Sequence, residues 1–336
     1  MNGKERITGM IGGIRTDSLP FMPITMMFAG DLAGIPYGEY ARDHRKLVEA
    51  QMLVAERFDT DYVSAISDPA REASDLGATV EWFENQPPAI NESRALLEDK
   101  ARLVHLGIPD PHAGPRMSDR VAGVAMLAEG CGGTHVVEGW IEGPCAMAAD
   151  LRGVNALMLD FHDDPSFVRN LFRFVVEMEF LFAKAQVEAG ATLMGIGDAA
   201  ASLIGPKLYE EFVFPEECNL IERVRALGVP VRLHICGNTR RIAGLMAKTG
   251  SAIVDLDFLT PLAEARAAAG PDQVLLGNID PVRALRDGTP ESITMALEGC
   301  WAAAGPRWIV GAGCEVPRGT PHENLAAMMR FARSRS

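Results

Sequence analysis

Residues 230–241 read PVRLHICGNTRR, which sets His234 and Cys236 two apart at the end of a run with strand character. Side chains alternate faces along a strand, so these two point the same way. Two soft ligands aimed into one space are half of a zinc site. Taken alone, the pair reads more simply as a core histidine beside a buried free thiol, cysteine being among the most buried residue types. The metal reading needs further ligands, and Cys314 in IVGAGCEVP and Asp257 in AIVDLD are the candidates. Asp68 in AISDPA and Asp198 in GIGDAAAS are two further carboxylates suited to substrate or acid/base work. An aspartate that ends a strand serves as readily as a helix N-cap. Asn278 and Asp280 in GNIDP read as residues that fix loop geometry.

A repeated strand-then-helix pattern must position these groups. Short β-rich runs lie at 22–28, 61–66, 134–142, 191–197, 231–236, 252–257, 273–279 and 307–312, and helix-length segments such as 165–189 and 206–227 separate most of them. That alternation predicts a parallel sheet. Eight units make a (β/α)8 TIM barrel the leading expectation, with a doubly wound open sheet as runner-up. Within the long interval 71–133, GATVEWFENQPPAI reads as a hairpin inserted after strand two. With neither an internal repeat nor a linker, 1–336 is expected to be a single domain. GTPESI and GTPHEN each offer threonine as N-cap and proline at the first helical position, and Glu323, three residues after Thr320, completes a capping box.

In such a barrel the chemistry sits where strands end. His234 and Cys236 end the fifth strand, Asp257 ends the sixth, and Cys314 follows the eighth. Closure sets Cys314 across the mouth from the fifth strand. The expected result is a His/Cys/Cys zinc site with an open fourth position, as in catalytic zinc, with Asp257 as a candidate fourth ligand.

Composition limits the alternatives. The chain is 48% apolar and 23% charged, which predicts a sizeable core and no disorder. No apolar run reaches the length of a membrane span and the N-terminus lacks a signal-peptide core, so the expectation is a cytoplasmic protein without membrane contact. A net charge of −13 leaves no basic stripe for nucleic acid. Six scattered cysteines suggest reduced thiols and no disulfide framework; Cys131, Cys145, Cys218 and Cys300 read as structural. The oligomeric state is left open.

The segments LHICGNTRRIAGLMAKTG, VLLGNIDPVRALRDGTPESI and IVGAGCEVPRGTPHENLAAM resemble the uroporphyrinogen decarboxylase superfamily, in particular its cobalamin-linked methyltransferase branch. ISDPAREASDLGATVEW and GWIEGPCAMAADLRG extend the resemblance over nearly the whole chain. It implies a (β/α)8 barrel, with zinc on His234, Cys236 and Cys314 and an acidic residue at Asp257 able to take the fourth position. The decarboxylases themselves carry arginines for substrate carboxylates where this chain has Met27 and Asp31. Asp150 stands at their tyrosine and Cys314 at the histidine of their GHG turn, and only Asp68 is kept. A tetrapyrrole with many carboxylates would lose its cationic clamp.

The resemblance therefore implies a zinc-dependent transfer of a methyl group between a corrinoid and a thiol or small methylated donor. No Asp-x-His-x-x-Gly motif for cobalamin occurs, so methylcobalamin is expected from a separate corrinoid protein or as a substrate. Two rival readings are a metal-free decarboxylase of a carboxylated substrate and a non-catalytic barrel whose zinc is structural.

Overall fold

The computed structural model describes residues 1–336. Its nine strands are β1 (Tyr62–Ser64), β2 (Val80–Glu81), β3 (Ala89–Ile90), β4 (Val136–Glu142), β5 (Leu193–Gly197), β6 (Val231–Ile235), β7 (Ile253–Leu256), β8 (Val274–Leu276) and β9 (Trp308–Ile309). Seven form one curled parallel sheet in the order β1-β4-β5-β6-β7-β8-β9. Parallel neighbours need long crossovers, and helices such as Pro165–Glu188 supply them. Every residue of these seven strands is buried, which accounts for their nearly unbroken apolar runs.

The strand expected over 22–28 does not form. Pro20 and Pro23 have no N–H to give a ladder, and the chain turns into a helix at Met27–Ala33. One parallel bridge, Phe21 with Val310, remains. The Met22 N–H donates to the Val310 carbonyl at 2.9 Å, and the Asp61 N–H donates to the Phe21 carbonyl at 3.0 Å. The segment around Phe21 thus links β9 to β1, the two edges of the sheet. After β1, the strands β2 and β3 pair antiparallel, Val80 with Ile90 and Glu81 with Ala89.

The helix expected over 206–227 is broken into Gly205–Leu208, a π turn at Tyr209–Val213 and Phe214–Ala226. Pro215 cannot donate to a carbonyl one turn back, which disfavours a continuous α-helix here. Thr289 caps Pro290–Ala304 and forms a capping box with Ser292. The box expected at Thr320 and Glu323 is absent: the Thr320 hydroxyl donates to the Pro317 carbonyl at 2.7 Å, and the helix begins one residue later, at His322. One core of 88 buried residues runs from Ile7 to Ala332. A small second cluster of Ile24, Ile66 and Trp140 lies apart from it. No helix is long and apolar enough to cross a membrane.

Candidate metal centre

The end of β6 carries His234 and the turn after it carries Cys236, while Cys314 stands in the turn after β9. The structure brings all three together. His234 Nε2 lies 3.1 Å from Cys236 Sγ, the two sulfurs are 3.8 Å apart, and Cys314 Sγ is 3.9 Å from His234 Nε2. Both cysteines are free thiols, far beyond the roughly 2.05 Å of a disulfide. The contact between the two sulfurs, with His234 beside it, holds the Cys314 thiol below its usual range, while the same contact and burial raise Cys236.

A layer of buried charge supports the histidine. Asp255, the cross-strand partner of His234 on β7, places Oδ2 3.0 Å from His234 Nδ1, at an angle outside that of a good hydrogen bond. The same oxygen accepts from Arg232 Nε at 3.0 Å and Nη2 at 2.7 Å. Arg232 Nη1 reaches Glu138 on β4 at 3.0 Å. Burial pushes Asp255 up, but Arg232 and His234 outweigh it and hold the carboxyl below its usual range. Burial alone would lower His234; Asp255 and the Cys236 sulfur reverse that and raise it. Sequence reasoning missed Glu138, Arg232 and Asp255. The available signal was a charged residue in the interior of each of three largely apolar strands, VVEGWIE, VRLHI and IVDL.

The remaining expected residues divide. Asp257 does not join His234, Cys236 and Cys314, whose potential ligand atoms all fall within 4.8 Å of one another. Its Oδ2 accepts from the Gly237 N–H at 2.9 Å and its Oδ1 from the Leu259 N–H at 2.8 Å, which ties the turn after Cys236 to the turn after β7. Asn278 supports that turn by donating to the Asp257 and Thr260 carbonyls. Asp68 reaches the mouth, with its carboxylate held by Arg116 at 2.7 and 3.3 Å. Asp198 does not line the mouth cavity. It is buried and accepts from the N–H groups of Ala146 at 2.6 Å and Cys145 at 3.4 Å, at the start of the helix Pro144–Arg152. Burial pushes Asp198 up to about 7, against those N–H groups. Glu217 stands beside it, pushed well above its usual range by burial and by Asp198, and accepts from the Tyr209 hydroxyl at 2.5 Å.

A cavity of about 160 Å³ opens next to His234, Cys236 and Cys314. Ile24, Ile66 and Trp140 form an apolar wall, and Asp68, Arg71, Glu142 and Glu315 supply its charge. Arg71 is fully buried. Its Nη1 donates to the Asp68 carbonyl, and its Nη2 to Glu72 at 3.2 Å and Glu142 at 3.0 Å. Burial pushes Glu72 up to about 7 and raises Glu142. Gly195 and Gly197 of β5 make room for the indole: a methyl group on Gly195 would meet Trp140 Cε3 at 2.2 Å. Arg71 and Glu142 also escaped the sequence reading, although SDPAREA places arginine three residues after Asp68.

The family described as uroporphyrinogen decarboxylase (URO-D) matches residues 2–335. Methylcobamide:CoM methyltransferase of Methanosarcina mazei is 29% identical over 254 residues, 75% of this chain and 73% of the relative. Uroporphyrinogen decarboxylase of Streptomyces griseus is 28% identical over 285 residues, 80% of this chain and 75% of the relative. Among solved structures, a methyltransferase from Methanosarcina mazei superposes with a TM-score of 0.85 at 21% identity, covering 99% of this chain and 98% of that one. This last likeness is one of fold.

Proposed function

The chain belongs to the uroporphyrinogen decarboxylase (URO-D) family, and we propose that within it this protein is a zinc-dependent methyltransferase that moves a methyl group between a corrinoid and a thiol or small methylated substrate. One observation carries the reading. A tetrahedral zinc with ordinary bond lengths sets two sulfurs about 3.8 Å apart and each sulfur about 3.5 Å from the nitrogen. The protein has 3.8 Å between the sulfurs, with 3.1 and 3.9 Å to His234 Nε2. His234, Cys236 and Cys314 are thus spaced for such an ion, with a fourth position left toward the cavity. Zinc held there would bind a thiol and lower its pKa, making a nucleophile at neutral pH.

The chain's own residues do the rest. Asp255 and Arg232 orient His234 so that Nε2 faces the cavity and Nδ1 keeps the proton. Ile24, Ile66 and Trp140 keep water from the reacting sulfur. Asp257 holds the Gly237 turn, and it becomes a ligand only by giving up those two backbone contacts. Asp68, fixed by Arg116, shapes the cavity and faces substrate, whereas Asp198 steadies the helix behind the site and moves no proton to the substrate. We read the sheet as a (β/α)8 barrel whose eighth place is held by the Phe21 segment, the β2–β3 ribbon as its insertion, and the chain as one domain. The corrinoid comes on a partner protein that docks over the mouth.

The decarboxylase reading is weaker. A cavity of about 160 Å³ is below even the roughly 300 Å³ at which pockets for drug-sized ligands begin, and a tetrapyrrole is larger still. Asp31, where the decarboxylases carry a clamp arginine, instead pairs with Arg318. To test the proposal, the zinc-loaded protein is mixed with methylcobalamin and a panel of thiols while the cobalamin spectrum is followed. Zinc-dependent demethylation is expected. No reaction with any thiol, and none in reverse from reduced cobalamin with methoxylated or methylthio donors, would sink it.

A further inference from the structure

We propose that the thiol taken at this site carries an ammonium group a short chain away from its sulfur, and that anionic thiols are selected against. The inference rests on the methyl-transfer reading above and names its thiol partner.

Three carboxylates and one guanidinium line the cavity: Asp68, Glu142, Glu315 and Arg71. Asp68 is already matched by Arg116. Arg71 has both terminal nitrogens engaged by the Asp68 carbonyl, Glu72 and Glu142, and its Nε, though without an acceptor, is sealed off from solvent. No cation is therefore free to meet a sulfonate or carboxylate. The acids are different. Glu142 is 6% exposed, and its Oε1 accepts from Arg71 and from Trp140 Nε1 at 3.3 Å, while Oε2 takes no hydrogen bond from the protein. Glu315 uses Oε1 for the Met27 N–H at 2.6 Å and leaves Oε2 unused. Neither unused oxygen is sealed off from solvent.

A metal on the three ligands does not change the sign, because two thiolates offset a divalent ion. An ammonium brings three N–H donors and a positive charge to Glu142, which has to share Arg71 with Glu72, and to Glu315, which hydrogen-bonds only the Met27 N–H. Size agrees with charge. The cavity holds the volume of about five waters, room for a thiol of a few heavy atoms whose methylenes lie on Trp140, Ile24 and Ile66.

The test uses three thiols with the same two-carbon spacer: cysteamine, 2-mercaptoethanol and 2-mercaptoethanesulfonate. Each is titrated calorimetrically into the zinc-loaded protein without corrinoid. Cysteamine should bind about tenfold more tightly than 2-mercaptoethanol, the scale of one charge-assisted hydrogen bond, and the sulfonate should bind most weakly. Glu142→Gln should shrink the cysteamine preference several-fold with zinc content unchanged, and the ranking in the unaltered protein stands whether or not that variant folds. A sulfonate that binds as tightly as cysteamine overturns this inference and leaves the methyltransferase standing. If none of the three binds, the thiol reading falls and takes this inference with it.

Discussion

Replacing Asp255 by asparagine isolates the contribution of one buried charge to metal binding. Asp255 Oδ2 faces Arg232 Nε, Arg232 Nη2 and His234 Nδ1 at 3.0, 2.7 and 3.0 Å. Its Oδ1 is buried with no partner. An asparagine can keep its oxygen at the Oδ2 place and put its amide nitrogen where Oδ1 was, so the acceptor survives while the charge disappears. Groups that orient a metal-bound histidine are worth about 10- to 100-fold in affinity. With the acceptor retained, the expected loss is at the low end, about tenfold, or about 1.4 kcal/mol. Stability should also fall, by less than the roughly 3–5 kcal/mol of a stranded buried charge, because Arg232 keeps Glu138. Zinc affinity is read by competition with a chromophoric chelator, and stability by urea unfolding of the zinc-free protein. A variant that loses stability but binds zinc within twofold of the parent would refute the reasoning and reduce Asp255 to a counter-ion for Arg232.

Cys314→Ala removes one of two soft ligands and should purify with well under one zinc per chain; full zinc by elemental analysis would show the ligand set to be wrong. Gly195→Ala drives a methyl group into the Trp140 ring, so it should cost about 1–3 kcal/mol of stability and reduce thiol binding while zinc stays bound; unaltered thiol affinity would show that Trp140 does not shape the cavity. Asp198 and Glu217 hold raised pKa values in the folded state against about 4 when unfolded. Stability from these two is therefore complete below about pH 4 and is lost as pH rises, for Asp198 through about 7. Glu217→Gln stays neutral, so its stability should fall less steeply between pH 5 and 8, by about 1.4 kcal/mol per pH unit for one proton. Equal slopes in urea melts at several pH values would show that Glu217 does not hold its proton in this range.

The sheet was legible because its strands are buried on both faces and write that burial into apolar runs; 22–28 misled because two prolines sit in or beside an otherwise strand-like run. His234 and Cys236 could be paired from the period of a strand alone, and Cys314 from the rule that strand ends converge. Asp68 and Asp198 look alike in sequence, each an aspartate after an apolar strand. What separates them is the Pro144–Arg152 helix, which reaches Asp198 only because Gly143 has no side chain: a methyl group there would meet Asp198 Cβ at 2.4 Å. Glu138, Arg232 and Asp255 stayed hidden for a related reason. Each lies in a different strand, and only the register of β4, β6 and β7 puts them in one layer.

On the proposed reading, the acids of the cavity and the metal held by His234, Cys236 and Cys314 would act on the same thiol from its two ends. Ionising a bound thiol adds a negative charge beside Glu142 and Glu315, which opposes the step unless the ligand carries a positive charge of its own. An ammonium at those carboxylates therefore selects the ligand and also eases formation of its thiolate. Methylation then removes the thiolate and leaves a neutral thioether, a far poorer partner for the metal, while the ammonium contacts persist. S-methylcysteamine should accordingly bind the zinc-loaded protein at least about tenfold more weakly than cysteamine, and the gap should close in the zinc-free protein, where only the acids remain. Calorimetry on both forms decides the matter. Equal affinities for thiol and thioether in the zinc-loaded protein would mean that the carboxylates alone hold the ligand and that no thiolate forms at His234, Cys236 and Cys314.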